Sequence, residues 1–550
     1  MEIPVSEFIV RYMERLGIEF VFGMPGAHIL PVYDALYDSS IRTVLAKHEQ
    51  GAAFMAGGCQ RASGNISACI ATAGPGATNL LTGIANAYAD KQPLLIITGE
   101  APTYIFGKGG LQESSGEGDA IDQQALLEPV TRYTRVIERT DYLPNVLNRA
   151  ANILLSPTAG PVALILPFNV QKERLDERLL DSIKTSPQRL AYEPDKPAIR
   201  HFRDLLLAAE RPVIVAGYGC IQSDSQQLVS RLSETMNIPV ATSLKGKGVI
   251  QEGSVLSLGS LGVTSYGGAY RYIAEQSDLV VFLGAGFNER TSHVWDNSLL
   301  DDKQIVQVDS NPEQLDKVFK ADVAIQGNIR DVLSDILEQL AESPAGHRSG
   351  SAPPPSPAAV NDRETLARKF PLMAYFYRTL AEQRPEQTRI FDDNIIFAQN
   401  FYPVSPANRF HPNSGISSLG HAIPAAIGAR FSDQHSTWAI LGDGGFQMCC
   451  MEIMTAVNYD IPLNIVVISN GTMGLIRKNQ DQQYRQRFID CDFTNPDLER
   501  FARSLGVHYY RADSSAAIDG LFRELDLEQA INLIEIPIDR HIYPNYSSKR

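Results

Sequence analysis

Two short stretches of this 550-residue chain place hard oxygen ligands and glycines where apolar runs stop. Trp438-Ala439-Ile440-Leu441 reads as a buried strand, followed by Gly442-Asp443-Gly444-Gly445 and a helical pattern through Asn458. A second apolar run, Leu463–Ser469, ends at Asn470-Gly471-Thr472. In a parallel sheet both strand ends project to the same carboxyl edge, where ligands bind at a topological switch. A carboxylate and an amide oxygen converging there suit Mg²⁺, which prefers oxygen ligands and usually keeps phosphate oxygens in its octahedron. The glycines let backbone N–H groups approach phosphate, and the helix N-terminus adds a favourable dipole.

A second candidate stands far upstream. Glu49 follows the strand-like run Thr43–Lys47 and precedes a helical pattern over Gly51–Ala62, amid Ala, Gly and Phe. A carboxylate in apolar surroundings has a raised pKa unless it is paired, and keeping one there without use is costly. Glu49 is therefore read as a proton-exchanging group at a strand end; a plain glutamate at a helix start is the other reading of the same residues.

Stepping outward, strands and helices alternate along the chain. Ser6 is expected to cap a helix running to Leu16, and Glu19–Phe22 to form a short strand before the Gly23-Met24-Pro25-Gly26 turn. Ser67–Ala73 reads as a strand closed by Gly74-Pro75-Gly76, with a helix from about Thr78, and Pro93–Thr98 as another strand. Val213–Ala216, Asp278–Gly284 and Gln304–Val308 are further buried runs; Gly217-Tyr218-Gly219 lacks the third glycine of a dinucleotide fingerprint and reads as a tight turn. Residues 341–362 shift to Ala, Ser, Gly and Pro, including Pro353-Pro354-Pro355, and read as a linker. The expectation is an α/β chain of three doubly wound parallel-sheet domains: 1–175, 190–340 and, after the linker, 363–550.

Composition narrows the class. With 49 basic and 63 acidic residues the net charge is −14, which argues against nucleic acid or an anionic membrane as the main partner. The opening Met1-Glu2-Ile3-Pro4-Val5-Ser6-Glu7 has neither a basic nor a long apolar region, so no signal peptide is expected. No run approaches about 18 apolar residues, so no membrane span is expected. The six cysteines include no CxxC pair, and the adjacent Cys449 and Cys450 are read as packing residues. A cytoplasmic globular protein is the expectation.

Four segments carry a resemblance: Gly23-Met24-Pro25-Gly26-Ala27-His28, Lys47-His48-Glu49-Gln50-Gly51-Ala52-Ala53, Ile70–Asn79 with its Gly-Pro-Gly-Ala-Thr-Asn, and Gly442-Asp443-Gly444 through Asn470. Over essentially its full length the chain resembles the thiamine-diphosphate enzymes of the acetolactate synthase/pyruvate oxidase/decarboxylase superfamily, and most closely the acetolactate-synthase-like branch, for which Arg61-Ala62-Ser63-Gly64 is typical. The resemblance implies thiamine diphosphate and Mg²⁺ as cofactors. Glu49 would hydrogen-bond N1′ of the aminopyrimidine. Asp443, Asn470 and the Thr472 carbonyl would hold Mg²⁺ against the diphosphate, with Gly442, Gly444, Gly445, Met473 and Gly474 around it. Leu419 would prop the cofactor in its bent shape, Pro25, Thr72 and Asn79 would line its pyrimidine or the site, and Asn394 would be a further cofactor-binding residue.

The activity so implied is a carboligase: a pyruvate-like 2-keto acid loses CO₂ and the remaining fragment joins a second carbonyl compound. His28 and Gln112 would handle protons and orient that acceptor. The chain departs from the synthases at several points. Arg477-Lys478-Asn479-Gln480 stands where they carry a tryptophan, and His28 where they carry a small residue and benzaldehyde lyases a histidine. Leu111-Gln112-Glu113 resembles their Phe-Gln-Glu, but Ser114–Asp119 looks inserted. A non-ligating decarboxylase or a benzaldehyde-lyase-like C–C lyase is the alternative, although the decarboxylases' paired histidines are missing. Gly284-Ala285-Gly286-Phe287-Asn288-Glu289-Arg290 echoes the flavin-domain stretch of the synthases only loosely, leaving FAD open. In this superfamily Glu49 and Asp443 meet across a subunit interface, so a homodimer or homotetramer is implied.

Overall fold

The computed structural model describes residues 1–186, 195–342, 357–384 and 386–544. Most of the expected linker, and the expected start of the second unit at 190, lie outside these residues.

Runs of Val, Ile, Leu and Ala that are apolar at successive positions cannot sit on a half-solvated sheet; they demand cover on both faces. Three six-stranded sheets meet that demand, each with all of its strand pairs parallel. The first is ordered Arg42–Leu45, Phe20–Gly23, Ser67–Ala71, Leu94–Glu100, Val162–Pro167, Tyr133–Val136. The third repeats that order with Arg409–Pro412, Thr388–Asp392, Ser436–Gly442, Leu463–Ser469, Ile531–Pro537 and His508–Arg511. The middle sheet runs instead Ser257–Ser260, Val240–Thr242, Pro212–Ala216, Leu279–Leu283, Gln304–Asp309, Val323–Gln326, the strand order of dinucleotide-binding folds. The expected Gly217-Tyr218-Gly219 turn is the N-cap and start of a short helix, Tyr218–Gln222, packed on the end of the neighbouring strand, with Gly219 N donating to Gly284 O over 3.1 Å.

The outer two domains share one core. Helix Glu49–Ser63 packs along helix Ala422–Ser432, and Ala52, Met55 and Ala56 from one side meet Ala425, Ala426 and Ile427 from the other in a single buried cluster. Gly58 and Gly428 permit this approach, because a Cβ at either would overlap the backbone of Ala425 or Met55. All three domains meet at Asp90, whose buried carboxylate pairs with Arg61 of its own domain and Lys245 of the middle one, beside Gly415 of the third.

Local boundaries differ from expectation where capping chemistry was misjudged. The first helix is Val5–Arg15 with Pro4 at its N-cap position, so Ser6 lies inside the helix, buried, and caps nothing. The helix after Gly74 begins at Pro75, because a proline suits the first helical turn. The expected helix after Asp443 is in fact Asp443–Cys449, a 3₁₀ turn Cys450–Glu452, and Ile453–Asn458. Cys449 and Cys450 pack against the shared core, as expected of packing residues. Among the described residues no helix is long and apolar enough to cross a membrane.

Candidate functional site

The two predicted halves of the site stand on carboxyl edges of the first and third sheets. In the third, Asp443 opens the helix Asp443–Cys449 directly after its strand and is buried. Its Oδ2 accepts from Asn470 N at 2.8 Å, Gly471 N at 2.6 Å and Asn495 Nδ2 at 2.7 Å. Asn470 Oδ1 in turn accepts from Thr472 N at 3.1 Å. The turn Asn470–Met473 is braced from behind: Met473 N and Thr472 Oγ1 both donate to Cys491 O, at 2.7 and 2.8 Å, and Phe493 N to Gly471 O at 3.0 Å. Asp443, Asn470 and Thr472 are thus brought together, and their carboxylate, amide and carbonyl oxygens are the donor set a hard cation prefers. The glycines differ in what surrounds them. A Cβ at Gly444 would press on Met473 Sδ at 2.6 Å and one at Gly445 on Asp393 Oδ2 at 2.9 Å, whereas Gly442 faces open space.

Asp393 is a residue that the sequence reading missed. It sits between two predicted cofactor segments, Gly442–Gly445 and the turn after Leu419. Its Oδ2 accepts from Gly420 N at 2.6 Å, and its Oδ1 from Asn413 Nδ2 at 3.1 Å and His421 N at 3.3 Å. Burial pushes its carboxyl up to about 6 even though these donors pull it down. Asn394 follows with a left-handed backbone (φ 63°), and its Oδ1 accepts from Arg290 Nη2 at 3.3 Å, so the middle domain reaches this edge too. The signal for Asp393 was the Asp392-Asp393 pair ending an apolar strand.

In the first domain, Glu49 is the first residue of helix Glu49–Ser63 rather than a strand end. His48 is its N-cap, taking Gln50 N on Nδ1 at 3.1 Å. Nor is the carboxylate unpaired: Asn79 Nδ2 donates to Glu49 Oε2 at 2.9 Å. In the same domain the structure gathers His28, Thr72 and Gln112. His28 Nδ1 lies 3.3 Å from Gln112 Oε1, Thr72 Oγ1 donates to the same oxygen at 3.3 Å, and His28 N donates to Thr72 Oγ1 at 3.4 Å. Pro25 is exposed on the adjoining turn, and Leu419 is half-buried on its own. His28 is buried with Phe168 edge-on at 6.4 Å.

The loop that carries Gln112 is held by a second missed carboxylate. Glu100, fully buried at the end of its strand, accepts from Ala101 N at 2.7 Å, Ser114 N at 2.9 Å and Gln123 Nε2 at 3.3 Å. Ser114 Oγ then accepts from Gly74 N and donates to Gln112 O, each at 3.0 Å. Burial raises the Glu100 carboxyl to about 6. The Ser114–Asp119 stretch is thereby folded back on the sheet edge, and Gln112, at φ 54°, is delivered to His28.

The three domains match known family models segment by segment. Residues 3–126 match the thiamine pyrophosphate enzyme N-terminal TPP binding domain, 199–336 the central domain and 394–536 the C-terminal TPP binding domain. The chain belongs to the thiamine pyrophosphate enzyme family. It is 32% identical to a probable acetolactate synthase large subunit of Methanocaldococcus jannaschii over 97% of this chain and 92% of that one. It is 31% identical to the acetolactate synthase large subunit of Corynebacterium glutamicum, over 91% and 81% respectively. To the large subunit of acetolactate synthase isozyme 1 of Escherichia coli it is 30% identical, over 98% and 95%. Thiamine diphosphate is accordingly the cofactor of these two binding domains.

Proposed function

We propose that this protein is a thiamine-diphosphate-dependent carboligase of the acetolactate synthase type, which decarboxylates a pyruvate-like 2-keto acid and joins the remaining fragment to a second carbonyl compound. The observation that carries this reading is the joint presence of the Asp443–Asn470–Thr472 oxygen set and the Asn79-held Glu49, in a chain similar end to end to acetolactate synthase large subunits. The bound cofactor supplies the carbanion chemistry at its thiazolium ring; the protein supplies shape and electrostatics.

In this reading Asp443, Asn470 and the Thr472 carbonyl bind Mg²⁺, and the amides around Gly444 and Gly445 take the diphosphate. The residues fit these groups: the oxygen set suits a hard cation, and Gly442, beside Asp443, faces open space. Glu49 holds a proton in exchange with N1′ of the pyrimidine, and Asn79 keeps its carboxylate aimed. Leu419, carried on the turn that Asp393 fixes, supports the bent cofactor, with Met473, Gly474 and Asn394 flanking it. His28 and Gln112, joined to Thr72, exchange protons with the reacting carbonyl oxygen and orient the acceptor. Asn479, in place of an indole, leaves the acceptor pocket more open and polar.

The active form is a homo-oligomer in which Glu49 of one copy meets Asp443 of another. Exposed apolar side chains border both halves, Leu30 (52%) and Leu111 (74%) near His28 and Gln112, Met448 (56%) and Met451 (52%) after Asp443. A second copy of the chain would cover them, and sedimentation at micromolar concentration checks it. A flavin in the middle domain is decided by the visible absorption spectrum of the purified protein. The activity itself is tested with thiamine diphosphate, Mg²⁺ and a panel of 2-keto acids and aldehydes read by mass spectrometry. A joined product supports the carboligase; a free aldehyde as the sole product overturns it.

A further inference from the structure

The entry to helix Glu49–Ser63 is gripped by the C-terminal domain of the same chain. Strand Arg42–Leu45 ends before the helix begins, so the amides of Lys47 and His48 have no strand partner there. Both are taken by one buried carboxylate, Glu452, in the 3₁₀ turn that follows the Asp443 helix. Its Oε1 accepts from His48 N at 2.9 Å and Lys47 N at 3.1 Å, and its Oε2 from Lys47 N at 3.2 Å. Thr455, one turn on, donates its hydroxyl to Glu452 Oε2 at 2.9 Å and orients it. Tyr459 continues the same face, its hydroxyl accepting from Leu45 N at 2.8 Å. Gly51 completes the fit from the other side, because a Cβ there would overlap Glu452 Oε1. Glu452 is 3% exposed, a position at which an unused carboxylate is expensive.

We propose that Glu452 is a positioning residue for Glu49. Glu49 is then fixed from two directions: Asn79 of its own domain holds the carboxylate, and Glu452 of the C-terminal domain holds the backbone that enters its helix. The inference rests on the reading of Glu49 as the group that exchanges a proton with the cofactor pyrimidine. Its physical basis is that a displacement of about 1 Å at a reacting group costs on the order of a hundredfold in rate. Removing Glu452 leaves two consecutive, part-buried amides without their acceptor, and the segment then moves toward whatever water it can reach.

The test uses the full chain with Glu452→Ala, Glu452→Gln and Gly51→Ala, beside Glu49→Gln. In the cofactor-free protein, amide hydrogen exchange of the segment 45–52 should quicken on the order of tenfold in Glu452→Ala and less in Glu452→Gln, which keeps an acceptor oxygen. With thiamine diphosphate and Mg²⁺ at saturation, deuterium exchange at the cofactor's C2 should slow by roughly tenfold to a hundredfold in Glu452→Ala. Calorimetric cofactor affinity should be unchanged, and Glu452→Gln should restore most of the rate. Gly51→Ala, which displaces the carboxylate while leaving it in the chain, should reproduce the slow exchange and serves if Glu452→Ala does not fold. A loosened 45–52 segment with C2 exchange at the wild-type rate, in either variant, overturns the proposal. If Glu49→Gln itself exchanges as fast as wild type, the reading of Glu49 fails first and takes the proposal with it. C2 exchange that is abolished in Glu49→Gln but unaltered in Glu452→Ala and Gly51→Ala rejects only the role of Glu452.

Discussion

Asn79 and Glu49 stand on neighbouring helices of the first domain, joined by a 2.9 Å bond from Asn79 Nδ2 to Glu49 Oε2. A hydrogen bond to a charged acceptor is worth about 1.5–3 kcal/mol, enough to set which rotamer of a half-buried glutamate is populated. Glu49→Gln is expected to fold, bind cofactor and lose turnover. Asn79→Leu keeps the carboxylate but frees it, and should slow turnover by roughly tenfold. Deuterium exchange at the cofactor's C2 reads both; wild-type exchange in Glu49→Gln would remove Glu49 from the chemistry.

Asp443 differs from Glu49 in what its loss should do. Its Oδ2 gathers three donors, and its Oδ1 accepts from Gly444 N at 3.0 Å. Asp443→Ala removes both the brace of the Asn470 turn and a cation ligand, so cofactor affinity should collapse instead of catalysis alone. Titration calorimetry with and without Mg²⁺ checks this. Normal affinity in Asp443→Ala, or wild-type affinity that ignores Mg²⁺, would defeat the metal assignment.

The parts of this site that were readable from sequence are those whose partners are close by in the chain or whose apolar flanks announce a strand. Leu463–Ser469 was read to the residue because an unbroken apolar run ending in a polar turn admits little else. Asp443, Asn470 and Thr472 follow from such strand ends. The start of the Glu49 helix was misread because its N-cap is the ring nitrogen of His48, not one of the usual Ser, Thr, Asp or Asn side chains. Glu452 was illegible for a different reason: the amides it satisfies lie 404 and 405 positions away. Glu100 is likewise hidden, since nothing local tells a strand-end carboxylate that holds a loop from one that faces water; for Asp393 the only local mark is its pairing with Asp392 at a strand end.

Glu100 gives the fold a pH signature. Its carboxyl is raised to about 6 in the folded chain by burial, from an ordinary value near 4.5. The folded state therefore holds this proton over a range where the unfolded chain has released it. Stability falls as pH rises from about 4.5 to about 6 and then levels, because the unfolded chain binds fewer protons across that window. Glu100→Gln lacks this proton, so its stability relative to wild type should climb across the same window, by on the order of 1–2 kcal/mol. Urea unfolding of both proteins at pH 4.5, 5.5 and 7 measures the difference. A flat difference would show that folding does not raise the Glu100 carboxyl.

His28 carries the most distinctive prediction. Gln112 Oε1 already accepts from Thr72 Oγ1, so its contact at 3.3 Å with His28 Nδ1 is satisfied only when that nitrogen carries the proton. The ring is thereby fixed as the Nδ1–H tautomer, with Nε2 left to exchange a proton with a ligand oxygen. An imidazole nitrogen in this position can both accept and return a proton. His28→Ala should slow product formation by roughly a hundredfold, the range for a lost acid–base group, with cofactor affinity unaltered. Gln112→Leu should cost less, on the order of tenfold, because the ring remains but its tautomer is released. The double variant should be no slower than His28→Ala, since the two act as one unit. Single-turnover kinetics with a 2-keto acid separates CO₂ release from joining to the acceptor. A slow joining step in His28→Ala places the imidazole on the acceptor side, whereas wild-type rates in both steps would reduce His28 and Gln112 to scaffolding for the Gly23–Gly26 turn.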